Sequence, residues 1–550
     1  MPANEARTTR WRVDASAICD STAWHTSHQA EAVAPTAYVH LRRFRQRTSA
    51  SPPRAATNTA APTNNTDGAV YGYFRDEFYY LACADHLAAG HVDHPPLSIY
   101  WLALVRALFG DSLLVLRLTP AILGAAAVAV VGGMVRSLGG GRWALALAMT
   151  GALVAPEYLA LHHYYSMNAF DILFWALAAW LLIRLVQDES LAKWLLLGAV
   201  LGLGLLNKIS VLWLGAGLLV GILATPLRRS LSRRGPWLAG LVAAAIFSPY
   251  VVWEMRHDWP TREFIHNATA EKMAAVPPLD FLNGQVETFL PFAAPLWLGG
   301  LAWLLFHSRG RDFRLLGWLY LTVFAILALA GSSRASYLAP AYTWLFAAGG
   351  VALEGALARA PWHWVRPAFL VLLLVAGAVV APLKLPILPV ESYLRHARAL
   401  GQEPSTEENK ELGELGQFYA DMHGWDAMVD TVAAVFARLS PEEAAAARVF
   451  APDYGVAGAI DLLGRRRGLP AAISGHNNYW LWGPRGWDGR VVVIVGGEEE
   501  QLRPIFARVE RAATIDCGRC MPYENHRPVW IARGLVLPVD ALWPKVKHYD

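Results

Sequence analysis

Charge is scarce in this chain: 17% of its 550 residues are Asp, Glu, Lys or Arg, against 55% hydrophobic, with 23 Trp. That balance excludes an ordinary soluble domain, in which about 25% of residues are charged, and indicates a polytopic membrane protein. The net charge of +4 identifies no partner, and no nucleic acid is expected to bind. Cysteine is scarce too, with Cys19, Cys83, Cys517 and Cys520 making up all four. "CGRC" holds the last pair close enough for a disulfide or two free thiols; adding His526 leaves a zinc site one short of four ligands. Residues 1 to about 70, rich in Ala, Thr, Ser, Pro and Asn, lack an apolar run, a signal peptide and any helical or strand periodicity, so a disordered tail is expected there.

What the chain does have is apolar runs. They follow one another from Leu97 to about Pro382, at roughly 113–136, 143–161, 168–187, 193–207, 209–226, 237–256, 287–306, 314–331, 337–355 and 363–382, each near the ~20 residues of a spanning helix. The run from Leu97 to Phe109 is too short to cross and reads as a helix lying at the interface. After Pro382 the composition changes. "ARVFAPDYGVAGAIDLL", "AAISGHNNYWLWGP" and "RVVVIVGGEEEQLRPIFARV" alternate β-branched runs with helical stretches, which predicts a small α/β unit. Three regions are therefore expected: the tail at 1–70, a multi-span domain at 71–385 and a soluble α/β domain at 386–550.

Orientation follows from the basic residues. Arg136 and Arg142, Arg184 and Lys193, "LRRSLSRRG", "HSRGRDFR" and "ARAPWHWVR" fall on one side if each run crosses once, and that side is expected to be the cytoplasm. The opening stretch from Gly72, "HHYYSMN", "NKIS", the 257–286 loop, "GSSRASY" and the α/β domain then lie outside. Ionisable groups beside apolar spans are costly and tend to be kept for a substrate or ion path. For any single residue, ordinary loop polarity explains it about as well.

"YFRDEFYYLACADHLAAGHVDHPPL", "HYYSMNAFDILFWALAAWLLIRL", "GLGLLNKISVLWL", "SSRASYLAPAY" and "SGHNNYWLWGP" together resemble the bacterial branch of glycosyltransferase family 39, which includes relatives of the protein O-mannosyltransferases and the aminoarabinose transferases. The resemblance covers about residues 71–535. It implies an α-helical polytopic membrane protein of GT-C fold, with an extracytoplasmic C-terminal α/β domain. The implied activity is sugar transfer from a polyprenyl-phosphate carrier to a hydroxyl on a protein, lipid or polysaccharide, at the outer face of the cell membrane. Such relatives carry a spanning helix just before the Asp-Glu loop, where this chain has its polar stretch; the expectation is a start misread or altered upstream of residue 71. The alternative class is a transporter or lipid flippase, against which stands the lack of an internal repeat.

An attacking hydroxyl must lose its proton, for which a carboxylate serves, and the resemblance gives that role to Asp76. Its neighbour Glu77 either touches substrate or only caps and pairs. Asp171, at the outer end of a span, is expected to orient the acceptor or the base. The departing lipid phosphate gathers negative charge and needs cations aimed at it in advance. Arg75, His94, Lys208 and Arg334 are the candidates, with Tyr337 beside Arg334 in "SSRASYLAP". The implied fold can also hold a divalent metal. Asp93 and His266 fall where its ligands would be expected and read equally well as polar loop residues.

Overall fold

The computed structural model describes residues 71–358, 363–406 and 408–550; the tail expected at 1–70 lies outside the described residues. Its first half and more is helical. A short helix α1 (Arg75–Asp85) and an apolar α2 (Leu97–Phe109) precede α3 (Leu113–Ser137), α4 (Arg142–Val154), α5 (Pro156–Leu161), α6 (Met167–Gln187), α7 (Leu191–Asn207), α8 (Val211–Leu223) and α9 (Arg234–Arg256). Serine side chains start several of them: Ser112, Ser166 and Ser190 accept the backbone N–H of Val115, Asn168 and Lys193, satisfying donors that a helix start leaves free.

After α10 (Pro260–Asn267) and α11 (Pro278–Thr288) come α12 (Ala294–Phe306), α13 (Arg314–Leu329), α14 (Tyr342–Ala356) and α15 (Val365–Val380). Among the described residues, five helices are long and apolar enough to cross a bilayer, or seven if the two bent pairs count as spans. The chain is thus a multi-pass membrane protein. Ten crossings, one for each apolar run, are not supported by helix length. The run at 143–161 breaks at Pro156, whose ring and missing N–H disfavour a continuous helix. The run at 287–306 bends by 90° from α11 into the segment leading to α12. The run at 337–355 begins as a 3-10 turn through Pro340 before α14.

Close helix packing rests on small residues, as expected where lipid gives helices little reason to associate. Gly300 of α12 and Gly349 of α14 face backbone of the opposite helix too closely for a Cβ, and Gly198 of α7 meets Ala239 of α9 in the same way. Residues Tyr342 to Gly350 of α14 are all buried, so this helix runs through protein rather than along lipid.

The C-terminal part holds a five-stranded sheet in the order β2-β1-β3-β5-β4, built from β1 (Arg448–Phe450), β2 (Ala472–Ile473), β3 (Val491–Val495), β4 (Phe506–Thr514) and β5 (Pro528–Leu535). β1 runs parallel to β2 and β3, and β5 antiparallel to β3 and β4. All five residues of β3, Val-Val-Val-Ile-Val, are buried, as a central strand covered on both faces requires. On one face Val493 and Val495 join Phe78 to Ala84 of α1 in a single apolar core. Gly458 stands against Phe78, where any side chain would collide with that helix. The opening helix is therefore packed into the sheet domain, far from it in sequence.

Candidate active site

Between the helical bundle and the sheet domain lies a cavity of about 1390 Å³. Arg75 and Asp76 of α1, with Asp93, Lys208, Arg334 and Tyr337 from segments far apart in sequence, reach its wall. Asp76 is half-buried and accepts a hydrogen bond from the Tyr454 hydroxyl at 2.9 Å. Burial raises its pKa above the ordinary carboxylate value, while the Tyr454 hydroxyl, Lys272 and Arg75 act in the opposite direction. A carboxyl so placed is a better proton acceptor than a free one.

Its two neighbours do other things. Glu77 is fully buried and accepts from the Phe74 and Tyr165 amides and from Arg117 Nε and Nη2 at 2.8–3.1 Å. It caps α1 and pairs; it does not line the cavity. Arg75 is spent on carboxylates: Asp421 at 3.2 Å, Asp453 at 3.3 Å and Glu524, with the Tyr523 hydroxyl at 2.7 Å. Burial pushes the Asp421 carboxyl up to about 7 against the attraction of Arg75. Arg75 also lines the cavity, and with its donors engaged by these groups it fastens α1 to the C-terminal domain.

His94 is buried, with its ring stacked on Tyr80 at 5.0 Å and Nδ1 3.0 Å from the Pro95 carbonyl. It stays off the cavity wall. Asp171 is buried behind that wall, accepting from Ser210 Oγ at 2.8 Å, with Lys208 Nζ at 3.8 Å. Lys208 itself does face the cavity, donating to Asn168 Oδ1 at 2.7 Å and lying 5.5 Å over the Tyr337 ring. Arg334 donates to Glu408 Oε1 at 3.0 Å, and Lys272 Nζ lies 3.9 Å from the same oxygen.

Of the two candidate metal ligands, Asp93 lines the cavity and His266 does not. Asp93 accepts the Tyr79 hydroxyl at 2.9 Å, whereas His266 is exposed and absent from the cavity wall. Neither belongs to a set of three metal-ligating side chains among the described residues. Cys517 and Cys520 are joined as a disulfide, which removes the thiolates that a zinc site with His526 would use.

Sequence reasoning missed Tyr454, Lys272, Glu408 and His476, all on the cavity wall. Lys272 lies six residues after His266 in "EFIHNATAEK", and Tyr454 follows Asp453 in "APDYG". Asp453 also caps the helix after it, accepting from Val456 N–H at 3.0 Å, a local signal that fixes where Tyr454 starts its turn.

Residues 93–253 match the family model described as dolichyl-phosphate-mannose-protein mannosyltransferase. The lipid A galacturonosyltransferase RgtD of Rhizobium johnstonii is 24% identical over 282 residues, which are 48% of this chain and 56% of that protein. The chain thus spans about half the length of the curated relative it matches. Crystal structures of ArnT from Cupriavidus metallidurans are similar in fold. One is bound to undecaprenyl phosphate, and the match has a TM-score of 0.54 and 17% identity, covering 83% of this chain and 92% of that one. The apo form matches with the same score and identity, over 84% and 94%.

Proposed function

Starting from the GT-C glycosyltransferase fold and family to which these matches point, we propose that this chain moves a sugar from a polyprenyl-phosphate carrier to a hydroxyl acceptor on the extracytoplasmic face. The observation that carries the reading is the convergence of a proton-accepting Asp76 with Lys208 and Arg334 on one cavity beside apolar helices. Asp76 takes the acceptor proton as the oxygen attacks the sugar C1. Arg334, Lys208 and Lys272 face the phosphate as it gathers charge; fixed cations there favour the transition state over the bound donor. Arg334 and Lys272 share the Glu408 carboxylate, so a phosphate entering there exchanges one anionic partner for another. The resemblance of the fold to an ArnT bound to undecaprenyl phosphate supports a lipid-phosphate donor. Arg184 of α6, Arg314 of α13 and Arg366 of α15 stand at or near the helix ends opposite those that bring Asn168, Ala330 and Val380 to the cavity wall, and arginines beside spans favour the cytoplasmic side, which supports placing the cavity outside.

The test is twofold. Mass spectrometry of the envelope should show one glycan lost when the gene is deleted and restored by the wild-type chain but not by Asp76→Asn; restoration by that variant would overturn the role of the base. A membrane-impermeant thiol reagent should label Glu500→Cys and spare Ser232→Cys, both positions being exposed; the reverse pattern would invert the orientation.

A further inference from the structure

One group of cavity-lining side chains takes no part in the reaction above. His476, His548 and Asp550 each offer a ligand atom, and these three atoms all lie within 4.8 Å of one another. Each of the three residues lines the cavity. We propose that they form a binding site for one divalent transition-metal ion of the zinc, cobalt or nickel class, with its open position facing the cavity.

The backbone holds the ligands in place before any ion arrives. His476 and His548 form an isolated parallel bridge, with Asn477 N–H donating to the His548 carbonyl at 3.1 Å and His548 N–H to the Gly475 carbonyl at 3.0 Å. The two imidazoles stand nearly parallel, 4.5 Å apart with 23° between planes. Asp550 Oδ1 lies 3.3 Å from His476 Nε2 and accepts no hydrogen bond of good geometry. Tetrahedral zinc, with bonds of about 2.0–2.2 Å, needs the three atoms closer still, which rotation of the carboxylate and small turns of the rings supply.

His548 Nδ1 faces the Val546 carbonyl at 3.3 Å. A ring that donates through one nitrogen leaves the other as a lone pair, the arrangement found in most metal-bound histidines. His476 is set the other way: its Nδ1 accepts the Tyr454 N–H at 3.3 Å, which puts the ring proton on Nε2, toward Asp550. Binding through Nε2 therefore shifts that proton to Nδ1 and gives up two hydrogen bonds, from Tyr454 N–H to Nδ1 and from Nε2–H to the Asp550 carbonyl oxygen, and the ring turns so that Nδ1–H clears the Tyr454 N–H, with no net proton released from the ring. Two imidazoles and one carboxylate select zinc, cobalt or nickel over magnesium and calcium, which prefer all-oxygen shells. Lys272 and Lys410 also bear on the Asp550 carboxylate; their charge opposes weakly bound cations and leaves only those with strong bonds to imidazole.

The site is separate from the Asp93 and His266 pair, and its test does not depend on transfer activity. The full-length chain, purified in detergent through a tag that contains no histidine run, is stripped of metal and titrated with Co²⁺. One ion per chain should bind, with visible d–d absorption. His548→Ala should weaken binding at least tenfold, since losing even a supporting partner of a metal ligand costs about 10–100-fold. His266→Ala should leave binding unchanged. In His548→Cys the bound Co²⁺ should gain a thiolate charge-transfer band, which appears only if residue 548 is itself a ligand. Absence of stoichiometric binding, or binding that His548→Ala and His476→Ala leave intact, would overturn the site and reduce the His476 to Asp550 contact to a fastening of the chain.

Discussion

From the helical bundle the cavity receives Lys208, Arg334 and Tyr337, at loop ends beside apolar helices; from the C-terminal domain it receives Tyr454, Glu408 and His476. The bundle's share includes the cations Lys208 and Arg334, which suit a phosphate arriving through lipid. Of the C-terminal share, the Tyr454 hydroxyl and the Glu408 carboxylate bear on the protonation of Asp76, and the His476 imidazole stands apart from it. Asp76 belongs by sequence to the segment entering the bundle, yet its helix is packed in the core of the sheet domain. The difference separates the two demands of the proposed reaction: charge stabilisation comes from one region and control of the proton from the other.

Substitutions at four positions break or sharpen that division. The largest effect is expected from Asp76→Asn, which keeps shape and removes the base: transfer measured in membranes should fall by a factor on the order of 10²–10⁴, with the amount of folded protein unchanged. Glu77→Ala should act on stability instead. It strands Arg117 and the Phe74 and Tyr165 amides, and breaking a buried pair costs about 3–5 kcal/mol, to be read as loss of folded protein on heating in detergent. The contrast between these adjacent residues tests whether α1 has one chemical face and one structural face.

On the bundle side, Arg334→Ala should cost about 1.5–3 kcal/mol of interaction with the donor phosphate, seen as a rise in donor KM and a fall in turnover together. A lysine replacement should recover only part, because it lacks the planar paired donors. The smallest effect is expected from Tyr454→Phe. Its hydroxyl favours the ionised form of Asp76, so its loss raises that pKa further. The acid limb of the rate profile should then move to higher pH by roughly 0.4–1 unit, the equivalent of one hydrogen bond, while the alkaline plateau stays in place. A shift in the opposite direction would remove Tyr454 from control of the base.

The helices and the sheet were legible because both rest on local patterns: apolar runs marked α3, α6 and α9, and Val491 to Val495 marked a buried strand. Bends were harder to see, since Pro156 and the turn before α12 interrupt runs whose composition stays apolar. At the cavity, Asp76 and Arg334 could be singled out by the motifs around them. Tyr454 could not, because it meets Asp76 across 378 residues with no periodicity to announce it. Arg75 and His94 were expected as candidate cations for a phosphate, and their surroundings were not legible in the sequence: carboxylates from the C-terminal domain pair with the first, and aromatic packing on Tyr80 encloses the second.

Arg75 meets Asp421, Asp453 and Glu524 at separations of 346, 378 and 449 residues. In a chain made from its N-terminus, α1 is therefore synthesised long before the groups that hold it. Contacts of such range close late, because the loop entropy between them must first be overcome. The helix that carries Asp76 waits through insertion of the bundle covered only where it meets α2, α3 and α6, and the cavity around Asp76 is completed only when the sheet domain folds against it. Ribosomes stalled before that domain has emerged would leave in the membrane a bundle with its cations in place and no functioning base.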